Sequence, residues 1–251
     1  MKRFTEKKAV MLSVMVAMFF AFPQVTYAMH IMEGYLPLVH SIAWSVVSLP
    51  FLVVGIFGIR KTLQNNKRLL ILLAMSGAFI FVISSLKIPS VTGSCSHMTG
   101  TALSAILFGP AITSVLGMVV LVFQAVLLAH GGLTTLGANV FSMAIIGPVF
   151  VLLLYRLGKK LKTNKKINIF MAAMLGDLFT YCIAAIQLGV AYPSESGGTL
   201  ASVAKFLGVF APTQLPLAVV EGILTVLVVM GLESFAKPEL KELAFIEIEE
   251  V

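Results

Sequence analysis

A histidine second from a free amine is a tridentate chelator, and this sequence offers one at Met29-His30 if the chain is cut after Ala28. Lys2, Arg3, Lys7 and Lys8 precede an apolar run from Ala9 to Phe22, and small residues stand at Thr26 and Ala28. This is the three-part pattern of a cleavable secretory signal, which assigns residues 1–28 to a signal peptide and begins the mature chain at Met29. The Met29 amine, the backbone nitrogen of His30 and its Nδ1 then close two fused chelate rings around one ion. Three donors in nearly one plane suit Ni(II), Cu(II) or low-spin Co(II) better than tetrahedral Zn(II). The competing reading is an uncleaved membrane anchor with His30 at its outer edge.

A fourth donor is available in Ile88–Thr101, a stretch dense in Gly and small hydroxyl residues that lets backbone approach a ligand closely. His97 there would complete a planar four-nitrogen site with Met29 and His30; the plain alternative is a connector carrying a solvated histidine. His40 and His130 read as interface histidines rather than ligands, and Cys95 as a small buried residue. Met29, Met32 and Met98 raise a Cu(I) thioether reading, but among 13 methionines in an apolar chain they are better read as filler. Asp177 and Glu221 fall inside apolar stretches, where acids are expensive and usually paired or functional. Asp177 either orients a ligand histidine, as metal-bound imidazoles require, or bonds a neighbouring helix backbone.

The elements that must position these residues are membrane helices. Hydrophobic residues make up 59% of 251 and charged residues 12%, with a mean hydropathy of +1.00, far from a soluble balance. The net charge of +7 lies largely in the signal segment and in two short clusters, Arg60–Arg68 and Arg156–Lys166. Membrane orientation therefore explains the excess better than nucleic acid, and both clusters are expected on the cytoplasmic side. Two cysteines make no disulfide framework.

Apolar segments of roughly spanning length, about 17–25 residues, run Leu38–Ile59, Leu69–Leu86, Leu133–Tyr155, Ile167–Val190 and Lys205–Phe235. Thr101–Ala129 is too long for one ordinary span and is broken at Gly109-Pro110. With both basic loops inside, residues 87–132 must cross an even number of times, as two short helices or a re-entrant pair. The expected fold is an all-α polytopic bundle of about seven transmembrane helices after the signal, forming one domain over residues 29–251. The mature N-terminus, Ser90–Gly100 and His130–Leu136 fall on the outer side; the tail Lys237–Val251 is cytoplasmic, and its acidic-hydrophobic end (Glu247, Glu249, Glu250) is solvated or frayed.

Taken together, His30-Ile31-Met32-Glu33-Gly34-Tyr35-Leu36-Pro37, Ser90-Val91-Thr92-Gly93-Ser94-Cys95-Ser96-His97, Ile106-Leu107-Phe108-Gly109-Pro110, Gln124–Asn139 and Gly176-Asp177-Leu178 resemble the CbiM/NikM family. These are the substrate-binding (S) components of cobalt and nickel energy-coupling-factor transporters. The resemblance covers nearly all of the mature chain. It implies seven helices with the new N-terminus tucked back into the bundle. It also implies a metal held by the Met29 amine, the backbone and ring nitrogens of His30, and the His97 ring. Met98 follows His97 where many relatives carry proline, a departure that bears on loop stiffness rather than on the ligands. The Ser94-Cys95-Ser96-His97 wording is closer to the cobalt branch, so Co2+ is the expected substrate, with Ni2+ the alternative.

An S component carries no ATPase, and the chain has no G-x-x-x-x-G-K-[ST] phosphate loop. Energy must then come from separate ATP-binding subunits through a transmembrane (T) subunit, and cobalt relatives usually add a small accessory membrane protein. The expected location is the cell membrane, with cobalamin biosynthesis as the destination of the cobalt. Ala74 with Ala78 and Gly55 with Gly58 offer small residues for close approach of a partner helix. A metalloenzyme would need a general base and an open coordination position, and no H-E-x-x-H occurs. A stand-alone permease would be expected to offer a polar pathway, which these nearly charge-free spans lack.

The chelate makes a sharp demand on the chain start. Inserting one residue between Ala28 and Met29 should abolish high-affinity Co(II) binding although every side chain remains. Equilibrium dialysis of the processed protein, with its N-terminus confirmed by intact mass, reads this out.

Overall fold

The computed structural model describes residues 30–89, 95–243 and 245. The expected signal peptide, residues 1–28, and Met29 lie outside the described residues, as do Ser90–Ser94 and the acidic end of the tail. The apolar runs become helices in the expected order. They are α1 (Leu38–Asn65), α2 (Leu69–Ser85), α3 (Thr101–Phe108), α4 (Pro110–Leu128), α5 (Leu136–Lys160), α6 (Lys165–Ala191), α7 (Gly198–Phe235) and a short α8 (Lys237–Glu242). Among the described residues, α1, α4, α5, α6 and α7 are long and apolar enough to cross a membrane, while α2, at 17 residues, is shorter.

Between α2 and α3 lies a small antiparallel hairpin, β1 (Lys87–Pro89) against β2 (Cys95–His97), which places Lys87 opposite His97. The break at Gly109-Pro110 is where the sequence requires it. Gly109 turns the chain at φ +85, and Pro110 opens α4, a position whose N–H has no helical acceptor anyway. Helix α3 has 8 residues and rises about 12 Å, well short of the roughly 30 Å hydrocarbon core. It is buried from Thr101 to Leu107, with Ser104 accepting from the Thr113 hydroxyl at 2.9 Å. The chain leaves at His97 and returns at His130 with the two ring centroids 5.0 Å apart. The segment between them is therefore an excursion that ends where it began.

Close packing is carried by small residues, as expected where the hydrophobic effect cannot drive helix association. Gly55 and Gly58 of α1 lie against Ala111 and Ile112 of α4, so this pair makes an internal helix contact and not a partner-facing surface. Ala74 and Ala78 remain exposed. Helix α1 buries only 11% of its most apolar stretch and presents the rest outward. The start of the tail packs against the bundle. Leu240 of α8 is fully buried in a cluster with Leu72, Tyr155, Ile169 and Leu232, because six helical residues suffice to turn one leucine back under the bundle.

Helix α5 contains a π-helical stretch, Val140–Ile146, a wide turn often found at functional sites. Immediately before it, the Ala138 carbonyl accepts from Gln187 Nε2 at 3.1 Å and from the Ser142 hydroxyl at 3.1 Å. At Gly137, one residue earlier, α5 touches α1 so closely that an added Cβ would overlap Ser45. Ser48 also donates to the Gly137 carbonyl at 3.0 Å.

Gly137→Val should therefore destabilise the protein by about 1–3 kcal/mol, the usual range for overpacking. Gly231→Ala, in α7 with open space around it, should leave stability unchanged or raise it. Thermal unfolding in detergent compares the two.

Candidate metal centre

Residues 30–36 form a strap laid across the connection between α4 and α5, open at His30–Ile31 and turned at Met32–Tyr35, where the Tyr35 N–H donates to the Met32 carbonyl at 3.1 Å. Ile31 N–H donates to Asn139 Oδ1 at 2.8 Å, and Asn139 Nδ2 donates back to the Ile31 carbonyl at 3.0 Å. The Thr135 hydroxyl reaches the same carbonyl at 2.5 Å. Further along, Glu33 N–H donates to the Gly131 carbonyl at 3.2 Å, and Gly34 N–H to the Thr134 hydroxyl at 3.1 Å. Gly132 is needed here, since a Cβ would overlap the Glu33 backbone. Ile31 and Leu36 anchor the strap among Tyr181, Leu188 and Phe210. His30 is thereby drawn inside, at 2% exposure.

His97 arrives at the same place from β2 and is fully buried. Its Nδ1 donates to the Met98 carbonyl at 2.8 Å. That bond puts the ring proton on Nδ1 and leaves the Nε2 lone pair free, the arrangement seen in histidines prepared for a metal. Nε2 faces His30 Nδ1 directly, across 67 positions of sequence. Two ring nitrogens pressed together need either a shared proton or a shared cation. Burial pushes His30 well below the ordinary imidazole range and His97 down to about 4. Both rings are neutral near pH 7, so a cation is met by lone pairs rather than by protons.

The His97 backbone is held from below by α6 and α7. Gln214 Nε2 donates to the His97 carbonyl at 3.2 Å and to Asp177 Oδ2 at 2.5 Å. Glu221 accepts from Thr99 N–H at 2.6 Å, the Thr99 hydroxyl at 2.8 Å and Gly100 N–H at 3.0 Å. Asp177 thus acts on neither the His97 ring nor a helix backbone; it reaches the His97 carbonyl through Gln214. Gln214 and Asn139 escape a sequence reading centred on histidines and acids. Their signal is an uncharged amide placed within a long apolar helix, where it must find partners.

The structure also brings in a histidine that the sequence reading sets aside. One ring nitrogen from each of His30, His97 and His130 lies within 4.8 Å of the others, and all three rings are buried. The His130 centroid is 4.6 Å from that of His30. His40, by contrast, sits half-buried on α1 and outside this group. Met98 packs its side chain against Ile83 and Leu217 and contributes its carbonyl to the His97 ring.

Residues 30–240 match the family described as CbiM, the cobalt uptake substrate-specific transmembrane region. The chain belongs to the CbiM family. It is 60% identical over 241 residues to the cobalt transport protein CbiM of Lachnoclostridium phytofermentans, covering 96% of each chain. It is 51% identical to the protein of that name from Clostridium cellulovorans, covering 96% of this chain and 94% of that one. A crystal structure of a truncated transition metal transporter superposes with a TM-score of 0.69 at 27% identity, covering 82% of this chain and 98% of that one. These relatives are cobalt transport proteins by name, and the buried histidine group lies within the matched region.

Because Asn139 both donates to and accepts from Ile31, next to His30, Asn139→Leu should weaken Co(II) binding at least tenfold, within the roughly 10–100-fold range for groups that support ligands. Equilibrium dialysis measures the loss, and unchanged helical circular dichroism shows that the bundle persists.

Proposed function

We propose that this protein is the metal-capturing subunit of an ATP-driven cobalt importer of the energy-coupling-factor class. The observation that carries the reading is the meeting of His30 Nδ1 and His97 Nε2 in a buried pocket. The two atoms come from a strap and a hairpin that are 67 positions apart in sequence and are each held in place by their own hydrogen bonds. In the processed protein, the Met29 amine and the His30 backbone and ring nitrogens supply three in-plane donors, and His97 Nε2 supplies the fourth. Membership of a cobalt-uptake family and the names of close relatives support Co2+ as the substrate.

The centre lies on the outer side, the bundle holds about seven membrane helices of which α3 enters only part-way, and the C-terminus is cytoplasmic. Two basic clusters on the helix connections support this orientation, as does the closed excursion from His97 to His130. The chain works with a transmembrane (T) subunit, ATP-binding subunits and a small accessory membrane protein, and it supplies cobalt for cobalamin synthesis. Capture here does not itself move the ion. Transport follows from reorientation driven by the partner subunits.

His30→Ala and His97→Ala should each largely eliminate high-affinity Co(II) binding while leaving the bundle folded. Metal analysis after Co(II)/Ni(II) competition gives the ion preference. Vesicles containing this chain alone should bind Co(II) at the membrane without time-dependent accumulation. Robust uptake without ATP or partners would show a stand-alone permease instead.

A further inference from the structure

Three rings meet at the centre, while the four-nitrogen plane proposed above uses two. His130 is 3% exposed, and its Nε2 is buried with no hydrogen-bond partner. A buried imidazole nitrogen without a partner normally carries a desolvation cost, so its place beside two candidate ligands calls for an explanation. The backbone around it is fixed. Its own N–H donates to the Gln124 carbonyl at 3.1 Å, and Ala129 before it adopts the left-handed conformation. Gly131, at φ +76, lies against the His30 ring. The chain has therefore been bent to bring this ring here.

The ring orientations distinguish His130 from the other two. It lies 76° from the plane of His97 and 51° from that of His30, whereas those two rings lie 35° apart. Nitrogens sharing one ion at bond lengths of about 2.0–2.1 Å sit roughly 3–4 Å apart. A mutual limit of 4.8 Å is thus met with small adjustment as the ion enters.

We propose that His130 is a fifth, axial nitrogen donor that makes the site selective for cobalt. This rests on the capture reading above and adds a donor to it. The selectivity follows from electron count. A d8 Ni(II) ion in a strong four-nitrogen plane is diamagnetic and fills the orbital that points along the axis, so a fifth donor is repelled. Low-spin d7 Co(II) holds one electron in that orbital and gains from a single axial nitrogen. A built-in axial imidazole therefore favours cobalt over nickel without altering the plane.

The test is frozen-solution electron paramagnetic resonance of the processed, full-length protein loaded anaerobically with Co(II). The wild-type protein should give a low-spin signal whose cobalt lines each split into three, from one axial 14N nucleus. His130→Ala and the bulkier His130→Gln should both lose that triplet splitting. Both should lose at least tenfold in Co(II) affinity while the planar Ni(II) absorption band and Ni(II) affinity stay unchanged. The retained Ni(II) band shows that the variants are folded with the plane intact. A wild-type low-spin signal without nitrogen splitting overturns the axial role, as does an equal loss of Co(II) and Ni(II) in both variants. Wild-type protein that binds no Co(II) overturns the capture reading itself, a result distinct from unaltered variants of a protein that binds.

Discussion

The candidate centre depends on one requirement, which is that an extended backbone brought into an apolar bundle must have its N–H and C=O groups satisfied. Helices meet this internally, but a strap does not. The side-chain amide of Asn139 answers it for Ile31, donating and accepting at 3.0 and 2.8 Å. Each such group left unpaired in a buried setting costs about 1–3 kcal/mol, comparable with what burying Ile31 contributes. The strap therefore lies where Asn139 permits, and His30 goes wherever the strap carries it. The start of α5, with Thr135 and Asn139 one helical turn apart, is in effect a receptor for a short piece of the same chain.

A second set of contacts holds the opposing ligand. Gln214 and Glu221 on α7, with Asp177 on α6, hold the carbonyl of His97 and the N–H groups of Thr99 and Gly100. These helices make the most extensive contact in the described structure. The strap is thus hydrogen-bonded to the start of α5 and packs Ile31 and Leu36 onto α6 and α7, the same two helices that hold the hairpin.

Much of this was legible in the sequence, and the missing parts have physical reasons. Spans could be read because length and apolarity are local properties, and Gly109-Pro110 announced its own break. His30 and His97 stood out because histidines are scarce in an apolar chain and charge parity put both on one side. His130 was on that side too, but its membership depends on where the excursion through α3 and α4 ends, which no local pattern encodes. The β1–β2 hairpin is only three residues per strand and exists through pairing alone. Gly55 was misassigned because a glycine on a helix does not say which neighbour it faces; here that neighbour is α4. Asn139 and Gln214 were visible as polar residues in apolar runs, but their partners lie more than 100 residues away.

All three histidines are nearly or wholly withdrawn from solvent, and residues 30–36 form the cover over them. Binding and enclosure are therefore one event, and so are release and uncovering. The grip of the donors sets how much free energy an ion gains on entry. In the proposed centre, how long it stays follows how often the strap lifts, since Ile31 and Leu36 seat the strap beside the three rings. Equilibrium affinity and dwell time are thus assigned to different atoms. A lesion in the strap's anchorage would produce a leaky protein whose coordination chemistry is intact. A lesion in a donor would produce a protein that opens and closes normally around nothing.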